Sequence, residues 1–225
     1  MRSSEVERTI PTAMGDARVV TAPAARAARA ARAAQDALTL VLGHGAGGGI
    51  EARDLVAIAQ ALPARGVTVV RVVQPWRVAG RRVAGLPPTL DRAWLDVLAA
   101  LDVQGDLVVG GRSAGARVAC RTALKVAAAG CLALAFPLHP PGRPEKSRLE
   151  ELLGAGVPTL VVQGEQDAFG GPAEFARRPS PFAVQRVPGA DHSFRVATSA
   201  DQRAALDGLV EGVATWLASL SGTRR

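Results

Sequence analysis

The chain has 225 residues, a formal net charge of +7 and 48% apolar residues. This length and apolar fraction are enough for a full hydrophobic core and exclude a disordered, highly charged chain. Aromatic residues make up 4% of the chain, tyrosine is absent and no nucleic-acid-binding motif is present, so we expect no nucleic-acid partner despite the basic charge.

The chain offers no segment that is typical of export or membrane insertion. No apolar stretch of a signal peptide occurs near the start, and the longest uncharged run, Val126 to Gly142, is too short for a span of about 20 residues. We therefore expect a cytoplasmic protein without a membrane partner. Cys120 and Cys131 lie in apolar stretches and are predicted to be reduced core residues.

The sequence predicts a single domain that covers residues 1–225. Its first recognisable part is residues 1–35. Two short β-like runs, Glu7–Ile10 and Ala17–Thr21, predict an antiparallel hairpin at a sheet edge. The Ala/Arg-rich residues 23–35 that follow are expected to be an exposed connection.

A regular series of short apolar runs follows, each bounded by glycine, proline or charge. The predicted strands are Leu38–Leu42, Val67–Val73, Asp106–Val109, Cys131–Phe136, Pro158–Val162 and Phe182–Val187. Because these runs are continuously apolar rather than alternating, they favour a parallel sheet that is covered on both faces.

Segments with helical spacing of apolar residues separate these strands, as in the last helix, where Leu206, Leu209, Val210, Val213 and Leu217 share a face. The alternation predicts an α/β fold with a doubly wound sheet, helices on both faces and no large lid domain. Ligands bind such sheets at the carboxyl ends of the strands.

Two finer features belong to these helices. Ser199 and Gln202 have the spacing of a capping box at the start of the last helix. Arg117, Arg121 and Lys125 recur every four residues and predict the solvated face of the helix after Ser113.

Ser113 is the predicted nucleophile. Gly111-Arg112-Ser113-Ala114-Gly115 reads G-x-S-x-G, follows a predicted strand and precedes an Ala-rich helix, which is the context of a nucleophile elbow. The alternatives are a plain Gly-rich turn or an anion-binding loop, but no lysine follows in the spacing of a phosphate loop.

A serine hydroxyl needs a neighbouring imidazole and an acid to orient it. When the nucleophile lies in such an elbow, the chain order is serine, acid, histidine, and His192 is late enough to fit. Asp167, after the strand Pro158–Val162, is the predicted acid; Glu165 is its main rival, and Asp191 would need an awkward side-chain direction.

A glycine-rich loop, Gly43 to Gly49, directly follows the strand Leu38–Leu42. One of its free backbone N–H groups, that of Ala46 or that of Gly47, would form an oxyanion hole with the N–H of Ala114. The alternative is a phosphate-binding loop, although no acid follows at the distance typical of a ribose ligand.

Other residues after strand ends are expected to line the substrate pocket. His139 lies in a stiff proline-rich loop, where a structural role is at least as plausible, and Trp76 is as readily a surface-covering aromatic as a pocket wall. The residues assigned to the pocket are His44, Gly45, Gly47, Trp76, Arg112 and His139.

Four segments together resemble a bacterial α/β-hydrolase family related to dienelactone hydrolases. The same segments are similar to the hydrolase-like domain of a subunit of the eukaryotic non-specific-lethal complex. They are Gly43–Gly48, Gly110–Arg117, Phe136–Gly142 and Asp191–Phe194. The resemblance runs from about Arg8 to Leu220 and implies the α/β-hydrolase fold with the triad Ser113, Asp167 and His192. Dienelactone hydrolases carry a cysteine nucleophile, whereas this chain has Ser113.

These observations predict a serine hydrolase that cleaves a small acyl ester or thioester without metal or cofactor. Arg77, Arg81, Arg82 and Arg195 would favour an anionic substrate. The alternatives are a non-catalytic interaction module on a hydrolase fold, and a peptidase or acyltransferase with the same triad. Whether the chain acts as a monomer or as a homodimer stays open.

Overall fold

The structure, a computed structural model, describes residues 5–31, 37–175 and 181–222. The strands of these residues form one eight-stranded sheet. Their bounds are β1 Val6–Ile10, β2 Ala17–Ala22, β3 Leu38–Gly43, β4 Val67–Val73, β5 Asp106–Arg112, β6 Gly130–Leu134, β7 Thr159–Gly164 and β8 Phe182–Val187.

The strand order in the sheet is β1-β2-β4-β3-β5-β6-β7-β8. β1 pairs antiparallel with β2, and β2 with β4, so the predicted N-terminal hairpin forms the edge of the sheet. The neighbours from β4 to β8 all run parallel, with Leu38 of β3 opposite Val67 and Asp106. The carboxyl ends of these six strands therefore meet along one edge.

Helices cover both faces of the sheet. Their bounds are α1 Arg26–Ala31, α2 Arg53–Ala61, α3 Pro75–Val78, α4 Pro87–Ala100, α5 Ala114–Thr122, α6 Leu149–Leu153, α7 Pro172–Phe175 and α8 Ser199–Gly222. Buried side chains of α2 and α8 form one apolar layer, and those of α4 and α5, including Trp94, form the other. None of the helices in the described ranges is both long and apolar enough to cross a membrane.

Four strands end at other residues than predicted at the edge where ligands are expected: β3 and β7 run one and two residues further, and β5 and β6 differ as follows. β5 continues through Gly110 and Gly111 to Arg112, because these glycines pair with β3 and β6 and so extend the ladder. β6 stops at Leu134, since Ala135 has a φ of 45° and turns the chain away from the sheet. The sequence pattern instead predicts that β5 ends before its glycines and that β6 continues through the apolar residues Ala135 and Phe136.

The predicted solvated stripe on α5 is wrong. Arg117 and Arg121 are half-buried and pair with Glu151 of α6, and Arg121 also pairs with Asp91 of α4. Lys125 lies beyond the end of the helix. The four-residue spacing of Arg117 and Arg121 therefore marks a contact between helices. The pattern of charges in the sequence does not distinguish such a contact from a solvated face.

Candidate active site

Ser113 lies at a sharp turn between β5 and α5. Its backbone has φ 54° and ψ −112°, a conformation that L-residues rarely adopt. A side chain on Gly115 would come within 2.5 Å of the Gly43 carbonyl oxygen, and one on Gly111 within 2.7 Å. Both glycines are thus required by the close approach of helix and strand, as the elbow motif predicts.

The structure brings three residues that are far apart in the chain into one hydrogen-bonded row. Ser113 Oγ lies 3.0 Å from His192 Nε2, and His192 Nδ1 lies 2.8 Å from Asp167 Oδ2. In this arrangement the imidazole donates from Nδ1 and accepts the serine proton at Nε2. The row is the one that a base-activated nucleophile requires.

Asp167 is held by groups other than the imidazole. Gln163 Nε2 donates to Asp167 Oδ2 at 2.8 Å, and the Phe169 backbone N–H donates to Oδ1 at 2.8 Å. The Asp167 carboxylate is fully buried. Gln163 was missed in the sequence, although a lone amide inside the apolar run of β7 could have indicated a buried partner.

The rival carboxylates turn to other partners. Glu165 accepts hydrogen bonds from Arg186 and from the Gly189 N–H. Asp191 accepts from the N–H groups of Ser193 and Arg195 and so closes the loop that carries His192. Of the three acids considered, Asp167 is the one that contacts the imidazole.

The two residues predicted to form the oxyanion hole, Ala46 and Ala114, lie beside the nucleophile. Ala114 is the first residue of α5, and the first four N–H groups of a helix have no acceptor within it. The loop after β3 packs against the elbow, since a side chain on Gly45 would contact Ser113 at 3.4 Å. Ala46 and Ala114 line the same cavity as Ser113.

Arg112 joins the elbow to the histidine loop. Its Nη2 donates to the His192 carbonyl at 2.8 Å and to Ser193 Oγ at 3.3 Å, and its Nε lies 3.5 Å from Asp54 Oδ1. Asp54 is fully buried in the first turn of α2. Burial raises the pKa of its carboxyl group, and the Arg112 guanidinium opposes that rise.

An open cavity of about 730 Å³ surrounds the Ser113 hydroxyl. Gly45, Gly47 and Arg112, which the sequence assigned to the pocket, are among its lining residues. Phe169 also lines it and lies against the imidazole, with 4.3 Å between the ring centroids. Phe169 was missed, although it follows Asp167 by two residues in the same loop.

The other three residues assigned to the pocket are not among those that line this cavity. His44 is buried beneath it: its Nδ1 donates to the Gly45 carbonyl at 2.9 Å, and its Nε2 accepts from the Gln74 N–H at 3.1 Å. Burial lowers the pKa of His44. Trp76 lines a separate cavity of about 470 Å³ beside α4.

His139 lies behind the loop that carries Asp167. Its Nδ1 is 2.9 Å from the Pro140 carbonyl oxygen, and its Nε2 is 3.0 Å from Glu174 Oε2. The hydrogen bond to Pro140 and the one to Glu174 raise the pKa of His139. Its backbone N–H donates to the Phe169 carbonyl, so this residue braces the acid loop rather than the cavity.

A family described as an alpha/beta hydrolase domain matches residues 36–218. The chain belongs to this family. The match spans the elbow, the acid loop and the histidine loop of the α/β-hydrolase domain, and the predicted fold class is confirmed. No curated protein matches the chain.

Solved structures share the architecture at low sequence identity. A lidless α/β serine hydrolase from Xanthomonas campestris is 21% identical with a TM-score of 0.69, and 96% of each chain is covered. An α/β serine hydrolase homologue from Coxiella burnetii is 18% identical with a TM-score of 0.71, covering 95% of this chain and 98% of that one.

A third structure, Est1E from Butyrivibrio proteoclasticus, is 15% identical with a TM-score of 0.69, covering 94% of this chain and 99% of that one. These similarities extend over nearly the whole α/β-hydrolase chain and describe its fold. The relation to dienelactone hydrolases and to the non-specific-lethal subunit stays a prediction.

Proposed function

We propose that this α/β-hydrolase is a serine hydrolase that cleaves a small acyl ester or thioester through a covalent acyl-enzyme. The observation that carries the proposal is the row in which Ser113 Oγ, His192 and Asp167 lie at hydrogen-bonding distances of 3.0 and 2.8 Å. Family membership supports it, since the elbow around Ser113 has the geometry that the family's chemistry requires.

In the first half-reaction, Ser113 Oγ attacks the carbonyl carbon while its proton passes to His192 Nε2. The carbonyl oxygen becomes an oxyanion, which the N–H groups of Ala114 and Ala46 stabilise. As the tetrahedral intermediate collapses, His192 returns its proton to the departing alkoxide or thiolate. Asp167 holds the imidazole in the tautomer that can accept at Nε2 and stabilises the imidazolium.

In the second half-reaction, water enters from the open cavity. His192 removes a proton from this water, the resulting hydroxide attacks the acyl carbon, and Ser113 leaves with the proton that His192 then returns. The product is the free acid. None of these steps uses an oxidant, a reductant or a second substrate other than water.

The proposal is tested with a neutral fluorophosphonate, which reacts with activated serines. We expect the wild-type protein to be labelled on Ser113 and to hydrolyse short p-nitrophenyl esters, with kcat/KM falling by about three orders of magnitude or more in Ser113→Ala. Intact-protein mass spectrometry with peptide mapping identifies the labelled residue.

Ser193→Ala is the matched control, because Ser193 is a second hydroxyl that lines the cavity. This variant should keep its labelling. A wild-type protein that resists labelling and hydrolyses no ester or thioester of the panel would point to the interaction module instead.

A further inference from the structure

Charged side chains are unevenly distributed around the Ser113 cavity. Its lining includes five guanidinium groups, those of Arg53, Arg112, Arg117, Arg148 and Arg195. Two carboxylates, those of Glu51 and Asp54, line it as well. The excess of positive charge here is a property of the site and not only of the whole chain.

Two of these arginines are committed to carboxylates of the protein. Arg112 pairs with Asp54 inside the wall, and its Nη2 donates to the histidine loop. Arg117 pairs with Glu151 through two hydrogen bonds, of 2.9 and 2.5 Å. Both ion pairs offset the positive charge of these two guanidinium groups within the protein.

The remaining three arginines form no ion pair within the part of the chain that the structure describes. Arg53 Nη1 donates to the amide oxygen of Gln202 at 2.6 Å, and Arg148 Nη1 donates to the Pro137 carbonyl at 2.8 Å. Arg195 is exposed at the rim. Glu51, which is also exposed and lines the cavity, carries one negative charge against these three positive ones.

Arg53 and Arg148 are half-buried, so their guanidinium groups have lost part of their hydration without forming a close ion pair with a carboxylate of the described residues. Burial and the neighbouring Arg117 lower the pKa of Arg148, and Glu151 opposes this shift only in part. A ligand that supplies negative charge would stabilise such an arrangement.

Building on the proposed function, we propose that the substrate is an ester or thioester that carries a carboxylate or phosphate group away from the scissile carbonyl. Arg53, Arg148 and Arg195 receive that anion while Ser113 attacks. The planar fork of a guanidinium matches both kinds of oxyanion, and the potential of the cavity excludes cationic substrates.

The test compares four p-nitrophenyl esters of similar length that differ in the charge at the far end of the acyl chain. They are the monoesters of glutarate, of methyl glutarate, of 4-phosphonobutanoate and of 5-(trimethylammonio)pentanoate. We expect kcat/KM to be at least about tenfold higher for the two anionic esters than for neutral methyl glutarate, and lowest for the cation. The ratio of kcat/KM for the glutarate ester to kcat/KM for the phosphonate ester distinguishes a carboxylate site from a phosphate site.

Variants locate the preference within the cavity. Arg53→Gln and Arg148→Gln should each reduce the ratio of anionic to neutral kcat/KM about fivefold, and exposed Arg195→Gln about twofold. Using the ratio removes any general loss of activity, which matters because Arg53 also contacts Gln202. Of the four arginines that the sequence predicted to favour an anionic substrate, only Arg195 lines this cavity. Arg82→Gln, which removes the same charge from an exposed residue outside the lining, should therefore leave the ratio unchanged.

The outcomes separate this inference from the proposed function. If the fluorophosphonate labels Ser113 but the anionic and neutral esters react equally, the charge preference is wrong and the hydrolase stands. If no labelling occurs, the proposed function fails and the inference fails with it. If labelling occurs without turnover of any ester, glutarate must slow labelling more than dimethyl glutarate does, or the inference is overturned.

Discussion

Arg112 has two tasks that can be separated by substitution. Its guanidinium compensates the buried carboxylate of Asp54, and the same group donates to the His192 carbonyl. The first contact concerns the free energy of unfolding, because a buried charge without a partner is strongly destabilising. The second concerns the position of the imidazole relative to Ser113, and therefore catalysis.

Arg112→Met is expected to lower the free energy of unfolding by about 3 kcal/mol, since it leaves Asp54 buried without its cation. It should also lower kcat for a neutral ester by about tenfold with little change in KM, because the histidine loop loses its donor while the cavity stays open. Urea unfolding and steady-state kinetics measure the two effects.

The double variant Arg112→Met with Asp54→Leu is the control that distinguishes the two tasks. Most of the lost stability should return, because both buried charges are gone, whereas kcat should stay low. Recovery of kcat together with stability would show that Arg112 has no positioning role.

At the scale of single residues, the sequence predicted the ones whose chemistry follows from a local motif or from a fixed chain order. Ser113 lies in the elbow, and Asp167 and His192 follow strands in the required order. Their positions in the chain were therefore enough to predict that they meet. Phe169, Gln163 and Arg148 could not be ranked in the same way, because their contacts depend on how three separate loops pack at one edge.

A side chain near the start of α8 holds the loop that carries His192 in place. Gln202 Nε2 donates to the Phe194 carbonyl at 2.8 Å, and its Oε1 accepts from the Val196 N–H at 3.3 Å. Phe194 itself is fully buried with a φ of 51°. Side chains of the helix thus hold the histidine loop, so the geometry of the helix start bears on the site.

The predicted capping box is displaced by one residue. Thr198, not Ser199, is the cap: its Oγ1 accepts from the Asp201 N–H at 3.1 Å and donates to Asp201 Oδ2 at 2.6 Å. Gln202 faces the loop instead of the helix start. Two adjacent hydroxyl residues satisfy the same sequence pattern, and the direction of the incoming loop decides between them.

Thr198→Ala should lower the free energy of unfolding by about 1 kcal/mol, because it removes the acceptor of a helix-terminal N–H. Ser199→Ala is the matched neighbour and should change it by a few tenths of a kcal/mol at most. Chemical denaturation of both variants measures the loss in the free energy of unfolding. Equal losses would contradict the assignment of Thr198 as the cap.

Across the whole molecule, strand identity was predictable but strand order was not. The predicted strands Val67–Val73 and Phe182–Val187 matched the structure at both ends. The reversal that places β4 outside β3 depends on which face each crossover helix covers. That choice follows from packing between helices and sheet, and no local pattern encodes it.

Two histidines outside the triad row, His44 after β3 and His139 after β6, give the molecule two opposing pH dependences. Burial lowers the pKa of His44, so its contribution to stability is complete above the ordinary value of 6.5 and is lost as the pH falls through the lowered pKa. The pKa of His139 is raised, so its contribution is complete below 6.5 and is lost as the pH rises through the raised pKa.

The comparison of His44→Gln with His139→Gln tests these signs within one protein. The stability difference between wild type and His44→Gln should be larger at pH 8 than at pH 5, because the protonated imidazole is excluded from its buried position between Gln74 and Gly45. The difference between wild type and His139→Gln should be larger at pH 5, because the imidazolium then donates to both Pro140 and Glu174. Subtracting each variant from wild type cancels the groups common to both, so urea unfolding at the two pH values isolates each histidine. Parallel slopes for the two variants would contradict the opposite protonation states that the hydrogen bonds assign.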